Sequence, residues 1–277
     1  MSIDQPEPAR SFGSVAEAYD RGRPTYPREA AVWLTSAQPL SVLELGAGTG
    51  KLTEQLVALG HDVHATDPDP QMLALLEKNL PAVRTSQAPA EEIPAGDASY
   101  DVVVSGQAFH WFDLDRALPE IARVLKPRGR LSLVWNQRDE RIPWVKRLGA
   151  IIGTQDQLRD PDERLVESQL FGDVEDASFK FWQVVDRNSI RDLVLSRSNV
   201  AVLSASQQEA KLAEVLAFYD DFGRGMDGMQ LPYATRCFRA QVLDRVTPTL
   251  TDKRSAGGDE DTVSDGSSTD MLLIDFH

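Results

Sequence analysis

The chain is short of cysteine, of basic charge and of long apolar runs, and each shortage closes off a class of protein. One cysteine, Cys237, among 277 residues rules out an intramolecular disulfide and fits a reducing, cytoplasmic setting. A lone thiol of this kind is expected to be buried and inert. No apolar run approaches the roughly 18 residues that cross a bilayer, so no membrane span is expected. The first residues, Met1 to Arg10, are polar and lack the apolar segment of a secretory signal. Lysine and arginine number 29 against 43 acidic residues, a net charge of −14. Such a surface repels phosphate backbones, and no nucleic-acid partner is expected. His61 and His64 are three apart in an expected strand, so they point to opposite faces and cannot share a metal. There is no Gly-x-Ser-x-Gly elbow and no Walker loop. The Asn/Asp-Pro-Pro-Tyr/Phe segment that marks methylation of nucleic-acid base amines is missing too.

What is present reads as one large α/β domain. The 42% hydrophobic and 26% charged residues are an ordinary globular mix. Five β-rich runs stand out: Ser41–Leu45, Asp62–Thr66, Val83–Ser86, Asp101–Ser105 and Leu131–Trp135. The first, fourth and fifth are nearly continuous apolar segments, as in parallel strands covered on both faces. Helical patterns separate them: Lys51–Leu59 stopped by Gly60, and Gln71–Leu80 stopped by Pro81, with Asp69 as N-cap and Pro70 at the first position. A third helix opens at Asp113 or Asp115 and reaches Leu125, with Pro119 expected in its first turn. Lys126 to Gly129 then reads as a turn into the fifth strand. Phe179–Val185 and Pro232–Phe238 read as two more strands, with helices at Ser189–Arg197 and Gln207–Phe222 and a flexible connector at Gly223–Gly228. The alternation predicts a doubly wound, Rossmann-like, seven-stranded and mostly parallel sheet with helices on both faces. Residues 1–40 form an N-terminal helical segment and 41–246 the main domain. The stretch 247–277 carries seven acidic against two basic side chains among Ser, Thr and Gly, and is expected to be disordered.

The chemistry concentrates where strands end. Val42 to Gly50 is a strand running into a glycine turn that opens a helix. Glycines let the backbone turn tightly and approach a ligand, and the helix N-terminus offers unpaired N–H groups. The spacing is Gly46-x-Gly48-x-Gly50, so the third glycine falls one residue early for a dinucleotide fingerprint. Glu44 precedes the first glycine by two. A pyrophosphate loop gains nothing from that carboxylate, whereas a loop facing a cationic ligand does. Asp67 ends the second strand, 17 residues beyond Gly50, where a carboxylate can accept both ribose hydroxyls of a nucleoside.

With these residues in view, the chain resembles the class I methyltransferases, in the small-molecule branch that includes trans-aconitate and ubiquinone/menaquinone methyltransferases. The resemblance spans about Phe12 to Arg239. It is most specific in Phe12–Asp20 through Arg23–Pro27, in Glu44–Gly50, in Ala90–Pro94 before Asp97–Asp101, and in Gly106–Phe112. It implies S-adenosyl-L-methionine as cofactor and a small-molecule methyl acceptor. Glu44, Gly46, Ala47, Gly48 and Gly50 would surround the methionine portion, Asp67 would hold the ribose, and Met72 would lie near the adenine. Where relatives carry Gly-Asp-Ala-Glu after the third strand, this chain has Ala88-Pro89-Ala90-Glu91. One adenine contact is thereby lost, while the Ala90 N–H stays available.

Ser105, at the end of the fourth strand, and Gln107, in the loop just beyond it, join the expected cofactor residues. The loop Gly106–Phe112 belongs at the ligand crevice, where His110 could serve as a base and Trp111 could face the sulfonium or the acceptor. Tyr19, Arg23 and Tyr26 resemble the family's lid, with Arg23 pairing the cofactor carboxylate. Trp135, Asn136, Trp144 and Arg197 are assigned to the acceptor side. Two rival readings remain beside methyl transfer. A catalytically silent cofactor-binding or interaction protein would share these motifs, and a nicotinamide oxidoreductase is disfavoured by the glycine spacing. The sequence specifies no oligomeric state.

Overall fold

The computed structural model describes residues 16–153, 161–222 and 228–243. Within them a seven-stranded sheet runs in the order β3-β2-β1-β4-β5-β7-β6. Its strands are β1 (Ser41–Leu45), β2 (Asp62–Asp67), β3 (Arg84–Gln87), β4 (Tyr100–Gly106), β5 (Leu125–Arg138), β6 (Phe171–Val185) and β7 (Met229–Val242). The first five are parallel, and β7 is inserted antiparallel between β5 and β6. The sheet is thus doubly wound and mostly parallel, as the alternating pattern predicts. The expected Gly223–Gly228 connector, apart from Gly228, lies outside the described residues, as do Phe12–Val15 and the 247–277 tail.

Central position dictates composition. β1 and β4 bury nearly every side chain because helices cover both of their faces. On one face Leu43, Leu45, Val103, Leu131 and Leu133 join Trp135 and Phe238; on the other Val42, Val102, Val104 and Val134 meet Tyr26, Leu34 and Leu52. Cys237 belongs to the second cluster, and burial pushes its thiol up to about 12, which makes it inert at neutral pH. β6 begins eight residues earlier than its apolar signal. It is an edge strand whose side chains alternate between half-buried and exposed, so Gly172 to Ser178 carries charge where a central strand would carry valine.

The helices follow their caps. Asp69 accepts from the N–H groups of Gln71 and Met72 at 2.8 and 3.4 Å, and Pro70 opens the helix Pro70–Asn79. Asp186 and Ser189 form a reciprocal capping box on the helix Arg187–Leu195. Two expectations need correction. Pro119 lies not in the first turn but inside the helix Leu114–Val124. The helix tolerates it because Pro119 and Asp115 are both on its exposed face, where water can satisfy the carbonyl freed by the missing N–H. Lys126 to Gly129 is not a separate turn before the strand but an irregular start of β5. Arg128 there has φ +64°, and the register against β4 shifts between Tyr100 and Val102.

The N-terminal helix Ala16–Gly22 packs on the helix Arg187–Leu195. Arg21 grips Asp192 through Nε and Nη2 at 2.8 and 3.2 Å, and a Cβ at Gly22 would fall 2.3 Å from the Asp192 backbone. Only glycine permits that approach. The two histidines have structural partners. His61 meets Thr35 Oγ1 at 2.8 Å and the Leu40 N–H at 3.1 Å, and His64 bridges the Tyr100 hydroxyl and Ser86 Oγ at 2.6 and 2.9 Å.

Candidate functional site

The C-terminal ends of β1, β2 and β4 border an open cleft. Tyr19, Gly46, Gly48, Asp67, Met72, Ala90, Gln107, Trp111 and Phe112 are among its walls. Six of the sequence-derived cofactor residues therefore meet there: Gly46, Gly48, Asp67, Met72, Ala90 and Gln107.

The glycine turn is shaped for close approach. Gly46 sits at φ +68°, and a Cβ on it would come within 2.5 Å of the Ala108 Cβ. The turn and the loop after β4 can touch only because that atom is missing. Ala47 N–H donates to Thr66 O at 2.9 Å and Gly50 N–H to Ala47 O at 3.0 Å, which places both behind the cleft surface as braces. Asp67 ties the turn to β2. Its Oδ2 accepts from Gly48 N–H at 2.8 Å and its Oδ1 from Asp69 N–H at 2.9 Å. Each oxygen keeps a lone pair for a ligand. Burial pushes the Asp67 carboxyl up to about 6, against those two backbone donors.

Glu44 stands beneath the turn and not on the cleft wall. It is 1% exposed, and Thr53 Oγ1 donates to its Oε2 at 2.7 Å. Burial, with the nearby Asp67 charge adding, pushes it up to about 8. Near neutral pH it is therefore largely protonated. Ser105 also lies behind the wall, fully buried at the end of β4.

The loop after β4 carries strain. Gln107 has φ +59°, a cost of about 1–2 kcal/mol for a side-chain-bearing residue. Its N–H bonds Val134 O at 2.9 Å and its Nε2 donates to Asn136 O at 3.2 Å, which hold it there. Strain of this kind tends to be retained where a site needs it. Phe109–Trp111 forms a single 3₁₀ turn that aims Trp111 and Phe112 at the cleft. His110 is exposed and is not among the residues that line the cleft; its ring lies 4.7 Å from that of Trp111. The Ala90-Glu91 wall is set by Arg123, which bonds Glu120, Asp97 and the carbonyls of Ala95 and Ile93, while Glu120 accepts from Ile93 N–H at 3.0 Å.

Arg23 also stands off the cleft wall. Its guanidinium lies 5.0 Å over the ring of Tyr19, which does line the cleft, and its Nη2 donates to Ser196 O at 2.9 Å. Trp135 is a core residue between Phe109 and Phe238. Asn136 accepts from Thr235 Oγ1 at 2.6 Å and donates to Thr25 O at 3.0 Å.

An uncharacterized methyltransferase of Mycobacterium tuberculosis (strain H37Rv) is 44% identical over 247 residues, which cover 87% of this chain and all of that protein. The chain belongs to the class I methyltransferases. A family model described as a methyltransferase domain matches residues 43–133, from β1 to the middle of β5. Among solved structures, a protein of Anaeromyxobacter dehalogenans described as a proposed type II methyltransferase aligns with TM-score 0.54 and 26% identity. That alignment covers 79% of this methyltransferase and 97% of its counterpart. The Haemonchus contortus phosphoethanolamine N-methyltransferase 2, solved with S-adenosyl-L-methionine, aligns with TM-score 0.51 and 16% identity, covering 84% and 59% of the two chains. That likeness shows the methyltransferase fold. Among the described residues no helix is long and apolar enough to cross a membrane.

Proposed function

We propose that this methyltransferase moves a methyl group from S-adenosyl-L-methionine to a small organic molecule. The observation that carries the reading is Asp67. A carboxylate at the end of β2, fixed by two backbone N–H groups, keeps acceptor capacity on the cleft beside a glycine turn. Acceptors so placed suit the two hydroxyls of a ribose, and Met72 and Ala90 offer an apolar slot beside it for a flat base. Other features also fit. Gly46 and Gly48 leave a cradle that side chains would fill, and Thr49 Oγ1 and Ser105 Oγ are buried without hydrogen-bond partners behind the walls. When bound, the cofactor supplies an electrophilic methyl on a sulfonium, displaced in line by the acceptor.

The residues then divide the work. Gly46, Gly48 and the N-terminus of the helix Lys51–Ala58 take the amino-acid end, with Ala47 and Gly50 bracing the turn. Glu44, beneath it, ionises when a cation settles above. Trp111, Phe112 and Tyr19 exclude water and present aromatic faces to positive charge. Positioning supplies much of the acceleration in such a displacement.

The direct test incubates the full chain with methyl-labelled cofactor and a panel of oxygen, nitrogen and carbon acceptors. Label should appear in at least one small molecule; label in none, with cofactor bound, would leave the silent-protein reading. Once an acceptor is in hand, His110→Ala should lower kcat by less than about tenfold, since the residue is exposed and does not line the cleft. A loss of about 100-fold or more, uncorrected by His110→Gln, would make His110 the base.

A further inference from the structure

The sheet ends on an open strand. β6 is 15 residues long, stands last in the strand order, and among the described residues is hydrogen-bonded to β7 alone. Such an edge offers a row of N–H and C=O groups to another strand, and proteins commonly blunt it with proline or a bulge. β6 contains no proline. Its irregularity against β7, between Phe171 and Val174, leaves the run Val174–Val185 regular. Apolar side chains also stand open on it. Trp182 and Val184 are 59% and 60% exposed, on the same face of the strand as the exposed Lys180, Ser178 and Asp176.

The strand complements itself. Two antiparallel copies related by a twofold axis perpendicular to the sheet must set like faces side by side, which allows only every second register. With Ser178 opposite its own copy, Asp176 meets Lys180 twice and Val174 meets Trp182 twice. On the other face Ala177 leaves room for Phe179. Opposite charges and apolar pairs set directly across a ladder are favourable, and like charges are not. The pairing runs from Val174 to Trp182, wholly inside the regular run. Neighbouring registers lose these matches. An axis at Asp176 or Lys180 sets like charges opposite each other; one at Ala177 puts Lys180 against Val174, and one at Phe179 puts Asp176 against Trp182. Among the described residues Asp176 and Lys180 form no ion pair within their own chain, whereas Glu175 between them in the charged stretch is taken by Arg239 at 2.6 Å.

We propose that β6 is a dimer interface, on which a second copy of this chain adds its own β6 antiparallel about Ser178 and the two sheets continue as one. Main-chain hydrogen bonds join the edges, the Asp176–Lys180 pairs fix the register, and Trp182 is covered by the partner's Val174. The cleft borders β1, β2 and β4, and β5 and β7 stand between it and this edge, so pairing leaves both clefts open.

Sedimentation equilibrium of the full chain at low ionic strength tests this. The mass should rise from one chain to two as concentration increases through the micromolar range. Lys180→Asp and Asp176→Lys should each raise the dimer dissociation constant about tenfold or more, because symmetry sets two like-charge pairs opposite each other. Asp176→Lys combined with Lys180→Asp restores opposite charges and should return the constant to within about threefold of the unmodified value. Trp182→Ser, which alters no charge, should weaken the dimer about tenfold or more as well. All four side-chain changes lie on exposed positions, and an unchanged circular dichroism spectrum will separate lost pairing from lost fold. The proposal is overturned if the chain stays monomeric up to about 100 µM, which would leave the edge to a different partner. A dimer that neither single charge substitution weakens would place the interface elsewhere and overturn it too. So would failure of the double exchange to restore pairing, which would discard this register.

Discussion

Glu44→Gln should make the ligand-free protein more stable in alkali, with a gain that grows with pH. The Glu44 carboxyl is raised to about 8 in the folded chain, against an ordinary 4.5. A group raised by folding contributes its full stability below the unfolded value and loses it as pH climbs through the folded one. The penalty for ionising Glu44 therefore builds between about pH 4.5 and 8 and reaches about 4–5 kcal/mol at full size. Glutamine keeps the acceptor for Thr53 but buries an extra donor, an offset of about 1–3 kcal/mol. The net gain near pH 9 is then about 1–4 kcal/mol, or about 2–16 °C in melting temperature, shrinking to nothing or reversing near pH 5. Thermal melts across that range decide it. A difference independent of pH would mean that Glu44 stays ionised beneath the turn. The same substitution should weaken S-adenosylhomocysteine, whose ammonium group would no longer meet an ionisable carboxyl below.

Asp67→Ala should weaken S-adenosylhomocysteine by about 1.5–3 kcal/mol, the worth of hydrogen bonds to a charged acceptor. The wild-type affinity should also depend on pH. Asp67 is raised to about 6 in the free protein, and ribose hydroxyls favour its ionised form. Binding should be near its maximum above pH 7 and weaken about tenfold per unit as pH falls below 6, until the bound-state value is passed. Asp67→Asn should flatten that dependence. Because Asp67 also holds Gly48 N–H and Asp69 N–H, part of the alanine effect will come from a loosened turn. Full affinity in Asp67→Ala would take the ribose away from this residue.

The part of the cleft wall that follows the strand ends was legible because it is local. Gly46, Gly48 and Asp67 follow their strands directly, and the register that joins β1 to β2 brings them together. Met72 and Ala90 lie close behind in sequence. Burial was harder to read. Nothing in Glu44-Leu45-Gly46 says that the carboxylate turns inward to Thr53, and nothing in Phe109-His110-Trp111 says that His110 is exposed while Trp111 lines the cleft. Pro119 misled because a proline suggests a first turn, and the exposed face that tolerates it is a tertiary fact. The edge strand β6 hid half of its length because an edge does not need an apolar run. Of the arginines deep in the structure, Arg23 and Arg197 were singled out from the sequence and Arg138 was not.

Use of S-adenosyl-L-methionine is the claim on which the account turns, and calorimetry on the full chain near neutral pH tests it most directly. S-adenosylhomocysteine and NADH are titrated separately into the unmodified protein. The cleft, its glycine turn and Asp67 require S-adenosylhomocysteine to bind one-to-one in the micromolar range or tighter, with NADH at least about 100-fold weaker. Tight NADH binding without S-adenosylhomocysteine binding would contradict it.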